Sequence, residues 1–367
     1  MVNGLRSKPR AVKPDVATKP HEPAFATSHL PAAGGAIGSR FEDFRVDEIP
    51  AYTPTGEGEH LYVRVEKRGL TTPDLVRVLG REARVAEREI GYAGLKDRRA
   101  VTSQWLSLPR TATAPETWNL PPDVRVLEAS RHANKLRTGH LRGNRFRIAV
   151  TGVPDGGVER ARLIVAELER SGVPNYFGGQ RFGRDGENLT KALSWLGGGG
   201  RARLPAFLYK LYPSVVQSEV FNRYLSLRRT EGLERLLEGE QMRLSGSGAG
   251  FAVEDVVVEN ERWARREIVP TGPIIGPKMR PASGRPLELE QRAVAELGLE
   301  PADLEVLARA APGARRDLLV YPEGVELTER EGGFELAFGL PSGCYATVLV
   351  RELTRSPLSA GELPDGD

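Results

Sequence analysis

The chain has 367 residues and a mass of 40.2 kDa, above the usual size of one compact domain, which favours two domains or one domain carrying a large insertion. Lys and Arg total 52 against 49 Asp and Glu, a net charge of +3, and residues 1–35 with five Lys/Arg and two Asp/Glu carry all of that excess. Any polyanion site in the folded part must therefore be a local patch rather than a global field. A single cysteine, Cys344, excludes an internal disulfide and a thiolate zinc site, and the five histidines show no metal-binding spacing. No run of about eighteen apolar residues is present. The expectation is a cytoplasmic protein without metal, cofactor or membrane segment.

In chain order, residues 1–34 are rich in Pro, Ala and basic side chains and show no period that would bury a face, so they are expected to form a disordered basic tail. Leu61, Val63 and Val65 alternate within EHLYVRVEKRG and predict a half-buried strand. Thr72 as N-cap, Pro73 at the first helical position and the stripe Leu75, Val76, Leu79 predict a helix directly after it. Strands are predicted at 103–108, 123–128 and 145–150, then a helix from Val158 to Arg170. The Gly- and aromatic-rich stretch 171–188 reads as a structured loop. After GGGGRAR at 197–203, residues 201–310 are helix-biased, with a Gly/Pro/basic loop at 272–286. Strand character returns from Arg315, and Ser342 is placed to cap a last helix. The pattern is α+β, arranged as core, insert, core, with an acidic flexible tail at 355–367.

Chemistry concentrates in three stretches. In GYAGLKDRRAVTSQ at 91–104, Asp97 stands among Lys96, Arg98 and Arg99 after a glycine turn. An aspartate is ionised at neutral pH and adjacent cations would hold it so, which suits a nucleophile or base and not an acid. A charged surface turn is the alternative. The segment 131–148 holds Arg131, Lys135, Arg137, Arg142, Arg145 and Arg147 with no acidic residue through Arg147, suited to phosphates or merely to solvation. In VPNYFGGQRFG at 173–183, Tyr176, Phe177 and Phe182 offer stacking faces and Asn175 and Gln180 offer amides for a base edge. The same aromatics would also anchor a loop in a core.

Taken together, EDFRVDEIP at 42–50, GEGEHLYVRVEKRGLTT at 56–72, AGLKDRRAVTSQ at 93–104, HANKLRTGHLRGNRF at 132–146, VPNYFGGQRFG and LPSGCYATVLVREL at 340–353 resemble the TruD family of transfer RNA pseudouridine synthases across residues 36–354. The resemblance implies an isomerase, formally an intramolecular transferase, that converts uridine at nucleotide 13 of transfer RNA to pseudouridine without cofactor or metal. It implies Asp97 as catalytic nucleophile beside Lys96, and Phe44, Asn175, Phe177 and Tyr345 around the uridine; from the basic stretch, Arg142 and Arg145 are expected on the RNA backbone. It also implies a pseudouridine synthase catalytic domain, a mixed sheet flanked by helices in permuted order, in two parts (35–200 and 314–354) around an α/β TRUD insertion at 201–313. Transfer RNA is the expected partner and a monomer the expected state. One departure stands out: relatives carry a Lys or Arg where this chain has Gly38, and Arg40 is the nearest substitute. Asp97 would attack sugar or base, or abstract a ribose proton, and the residues do not choose among these. A non-catalytic RNA-binding or RNA-folding protein with the same groove is the rival reading, and an RNA hydrolase a weaker one.

Overall fold

The alternation of Leu61, Val63 and Val65 does produce a strand, and it places a fourth residue, Lys67, on the same inward face. The computed structural model describes residues 19–200 and 204–356. In chain order it contains β1 (Ala36–Ile37), β2 (Phe44–Pro50), β3 (His60–Arg68), α1 (Thr72–Glu82), β4 (Gly91–Tyr92), β5 (Val101–Pro109), β6 (Val124–His132), β7 (Leu141–Thr151) and α2 (Gly157–Ser171). There follow α3 (Glu187–Gly197), α4 (Ala206–Thr230), β8 (Gln241–Leu244), β9 (Gly250–Ala252), α5 (Val256–Ala264), β10 (Ile268–Ile274), α6 (Gly284–Glu296), α7 (Pro301–Ala310) and β11 (Ala314–Asp317). The chain ends with β12 (Glu323–Arg330), β13 (Gly333–Pro341) and α8 (Ala346–Thr354).

These elements divide into two units, one of Thr27–Val173 with Tyr321–Ser356, the other of Pro174–Val320 together with the described residues up to Ala26. The first unit is a nine-stranded sheet of order β12-β13-β7-β2-β5-β3-β6, with β1 on β7 and β4 on β5. Only β2 and β5 pair in parallel along that path, so the sheet is mixed. Its core joins Leu61, Val63, Val65, Leu106 and Leu108 of the sheet to Leu75, Val76 and Leu79 of α1. The second unit pairs β9-β8-β10-β11 in an antiparallel sheet, with α4 against β10. Gly272 allows that close approach, because a Cβ there would lie 2.9 Å from Phe221 and Tyr224 of α4.

Several expectations move. The inserted unit begins at 174 and ends at 320 rather than spanning 201–313: Asn175 donates its backbone N–H to the Leu318 carbonyl, and α3 packs on α4. The segment 272–286 is not one loop, since its first three residues close β10 and its last three open α6. Residues 19–34 are not a disordered tail. His21 gives its backbone N–H to Glu219 at 3.0 Å, Thr27 gives backbone and hydroxyl to Glu352 at 3.1 and 2.9 Å, and Ala33 is fully buried. A Pro-rich segment without its own core is thus ordered by buried carboxylates that accept its backbone donors. Residues 1–18, and 357–367 of the expected acidic tail, lie outside the described residues. The final helix starts at Ala346 with Tyr345 at its N-cap, three residues beyond Ser342.

Candidate active site

Asp97 lies on the loop that joins β4 to β5 in the first unit. The helix cap one element earlier helps to build that loop. Thr71, not Thr72, caps α1: its hydroxyl accepts from the Asp74 N–H at 3.2 Å while the Asp74 carboxylate accepts from the Thr71 N–H at 3.0 Å. Thr72 is therefore released to face the loop. Its hydroxyl accepts from the Lys96 N–H at 2.9 Å and donates to Gln104 Oε1 at 2.9 Å, and Gln104 Nε2 donates to the Gly94 carbonyl at 3.4 Å. Below the loop, Lys67 Nζ donates to the carbonyls of Asp97 at 2.9 Å, Lys96 at 3.4 Å and Leu70. The Lys96 ammonium reaches Glu48 Oε2 at 2.7 Å, with side chains only 4% and 1% exposed, and Glu48 Oε1 accepts the Trp105 N–H at 3.2 Å.

The electrostatics differ from the expectation drawn from sequence neighbours. Burial raises the Asp97 carboxyl above its ordinary value, opposed by the charges of Lys67 and then Lys96. Lys96 is committed to Glu48, and the exposed Arg98 reaches Asp74 at 3.4 Å. Lys67, fully buried, is lowered to about 8, first by desolvation and then by Lys96, with Asp97 acting in the opposite sense. Lys67, Glu48, Thr72 and Gln104 were not legible as site residues, although the alternation of β3 does carry Lys67 inward. The loop therefore presents a part-buried carboxylate on a frame of buried hydrogen bonds, an arrangement suited to nucleophilic or basic attack on a substrate that brings its own surface to the loop.

The other expected residues are distributed as follows. Phe44 is 3% exposed and meets Phe146 edge-on at 6.3 Å, while Phe146 stacks on Phe338 at 5.5 Å, so its ring belongs to the core of this unit. Tyr345 is part-exposed at the N-cap of α8. Arg145 and Arg147 are exposed on β7, alternating with the inward Phe146 and Ile148, and Arg142 is exposed near the start of the strand; Arg142, Arg145 and Arg147 face Glu323 at 3.8 Å, Glu326 at 3.5 Å and Asp47 at 3.7 Å. Arg40 spends its guanidinium on Asp43 at 2.8 Å. A Cβ on Gly38 would stand 2.3 Å from Asp43 Oδ2, so this position cannot take a side chain without moving Asp43.

Asn175 and Phe177 belong to the second unit. The Asn175 amide is engaged at both ends: Nδ2 donates to the Asp317 carbonyl at 3.0 Å, and Oδ1 accepts from Arg316 at 2.6 Å. β11 thus holds one donor and one acceptor position of the amide, which fixes its orientation. Phe177 is half-buried, with the Arg316 guanidinium 4.1 Å from its ring centroid and Phe221 edge-on at 5.5 Å. Its backbone is bracketed by Asn222, which accepts from the Phe177 N–H at 2.9 Å and donates to its carbonyl at 3.0 Å. Among the described residues no group of three or more His, Cys, Asp or Glu is placed to hold a metal, and no helix is long and apolar enough to cross a membrane.

The fold is that of a solved structure described as a tRNA pseudouridine synthase D (TruD) from Methanosarcina mazei, which superposes with a TM-score of 0.70 at 25% identity over 91% of this chain and 96% of that one. A mixed sheet with helices and an inserted second unit is thus the architecture of a pseudouridine synthase, an isomerase. Residues 23–193 and 185–353 match the family described as tRNA pseudouridine synthase D (TruD). Proteins named tRNA pseudouridine synthase D from an Anaeromyxobacter strain and from Thermus thermophilus are 44% and 42% identical, over 94% and 93% of this chain and 98% and 94% of their own length. The chain belongs to the TruD family.

Proposed function

We propose that this protein isomerises uridine to pseudouridine in transfer RNA, at nucleotide 13, with Asp97 as the nucleophile. The observation that carries the reading is the Asp97 loop itself, in which a part-buried carboxylate rides on a backbone fixed by the hydrogen bonds of Thr72, Gln104 and Lys67. In the reaction the N-glycosidic bond breaks, the base turns, and C5 of the uracil joins the ribose carbon. The proton on C5 is released to solvent as the new carbon–carbon bond forms and N1 takes one up, so the net change is an isomerisation that consumes no co-reactant. Reaching a base in folded RNA requires its extrusion, which costs a few kcal/mol and is offset by backbone and stacking interactions. Incubating the protein with unmodified transfer RNA transcripts and mapping pseudouridine by carbodiimide-dependent primer-extension stops tests the reading. A stop immediately 3′ of nucleotide 13 is expected, and transcripts bound but unmodified would favour the RNA-binding alternative.

Arg142 and Arg145 are proposed to hold the RNA backbone. Their exposed ion pairs with Glu323 and Glu326 are worth little and are readily exchanged for phosphates. The Arg142→Ala, Arg145→Ala double variant is expected to bind all transfer RNAs more weakly. It should also flatten the plot of log affinity against log salt by about 0.7–0.9 for each phosphate no longer neutralised. An unchanged slope would make these side chains ordinary surface.

Phe177 is the proposed stacking platform. Its half-buried ring, braced by Arg316 and Phe221, suits a base on its remaining surface. Phe177→Ala should lower turnover by the equivalent of about 1–3 kcal/mol of stacking. Its loss of stability should stay below the about 3–5 kcal/mol of a wholly buried Phe. Turnover and thermal unfolding measured on one sample separate the roles, and a large drop in Tm with normal turnover per folded molecule would return Phe177 to the core.

A further inference from the structure

We propose that Lys67 is a positioning residue for the Asp97 carboxylate: its ammonium, sealed beneath the loop on the carbonyls of Leu70, Lys96 and Asp97, fixes the turn and supplies a buried counter-charge to the ionised acid. The proposal rests on the reading of Asp97 as the nucleophile. Strand β3 creates the situation, because its period-2 alternation points Leu61, Val63, Val65 and Lys67 to one side, and the first three pack against α1. The fourth reaches the same layer where the chain leaves the sheet, and it is fully buried. Lysines at strand ends ordinarily extend their heads to water. This one is turned inward, and its three N–H donors meet three carbonyl oxygens.

The carbonyls satisfy the hydrogen bonds but not the charge. The charges acting on Lys67 are, in order, those of Asp97 and Lys96 on the loop and Asp74 at the start of α1. Asp74 already serves Thr71, Arg77 and Arg98, and the Lys96 ammonium is closed by Glu48. On Asp97 the leading favourable charge is that of Lys67, ahead of Lys96. The loop is also secured by Thr72 and Gln104, so its path does not depend on Lys67 alone. What Lys67 adds is a positive charge under the 96–97 peptide, in a region where the field is weakly screened.

The pH dependence has a defined sign. Lys67 titrates near pH 8, so its charge is present below that value and lost above it. Asp97 is raised from its ordinary value and must be ionised to act, so activity climbs as pH rises through its own titration. Turnover should therefore pass through a maximum, with the alkaline side set by Lys67.

The test is the single-turnover rate of the full chain on unmodified transfer RNA transcript, measured against pH for the parent protein, Lys67→Met and Lys67→Arg. For Lys67→Met the maximal rate should fall about a hundredfold, the magnitude of a misplaced reacting group, while half-saturation changes no more than a few-fold. Its acid limb should move to higher pH and its alkaline limb near 8 should vanish. Lys67→Arg should recover part of the rate and also lose the alkaline limb, because a guanidinium stays charged. A folded Lys67→Met with the parent rate and limbs overturns the proposal, as does a loss confined to half-saturation. Should Lys67→Met fail to fold, the decision passes to Lys67→Arg, and an alkaline limb retained at pH 8 overturns the idea. Turnover by Asp97→Asn would instead overturn the nucleophile assignment, whatever Lys67 does.

Discussion

Asp97→Asn is expected to abolish pseudouridine formation, by about a thousandfold or more, while transfer RNA binding stays within a few-fold. The amide keeps the size and planarity of the carboxylate, and the loop is held by its backbone through Lys67, Thr72 and Gln104, none of which depends on the Asp97 side chain. Stability should change little, or rise slightly, since burial disfavours the charged form of this group. Gel-shift affinity, thermal unfolding and primer-extension mapping on one preparation check the three claims. Turnover near that of the parent would remove Asp97 from the chemistry, and a parallel loss of binding would make it part of the docking surface.

Glu48→Ala is expected to produce the largest loss of stability of any single change at the site, about 3–5 kcal/mol. The Lys96–Glu48 pair is almost wholly buried, so removing the carboxylate leaves an ammonium without its counter-charge and also strands the Trp105 N–H that Glu48 accepts. At about 2–4 °C per kcal/mol for a domain of this size, Tm should fall by about 10 °C. Adding Lys96→Met to Glu48→Ala should restore part of the loss, because the uncompensated charge is gone. A single-variant loss under about 1 kcal/mol would mean that the pair is solvated, contrary to its burial.

Residues with a periodic or turn-forming role were readable in advance. The alternation in β3, the apolar stripe of α1, the strands at 101–109, 124–132 and 141–151, and α2 all stand where their spacing puts them, within a few residues. The expected Thr72 cap is one residue late for a physical reason. Both threonines offer a hydroxyl, and only the fold decides that Thr71 meets the Asp74 N–H while Thr72 meets Lys96. The ordering of residues 19–34 was invisible, because it depends on buried carboxylates about 200 and 325 positions away in sequence.

Local pattern and long motifs in one order are enough to assign the family, the α+β class with a central insertion, and the aspartate on which the chemistry is proposed to turn. Which charges act on that aspartate is set by folding alone. Arg98 and Arg99 are its neighbours in the chain and both are exposed, whereas Lys67, thirty residues earlier, lies under the loop and Glu48 closes Lys96. Electrostatic influence depends on distance and burial, which strand pairing and the α1 cap set together. Sequence proximity assigns the charge to the loop, and folding decides where that charge is felt.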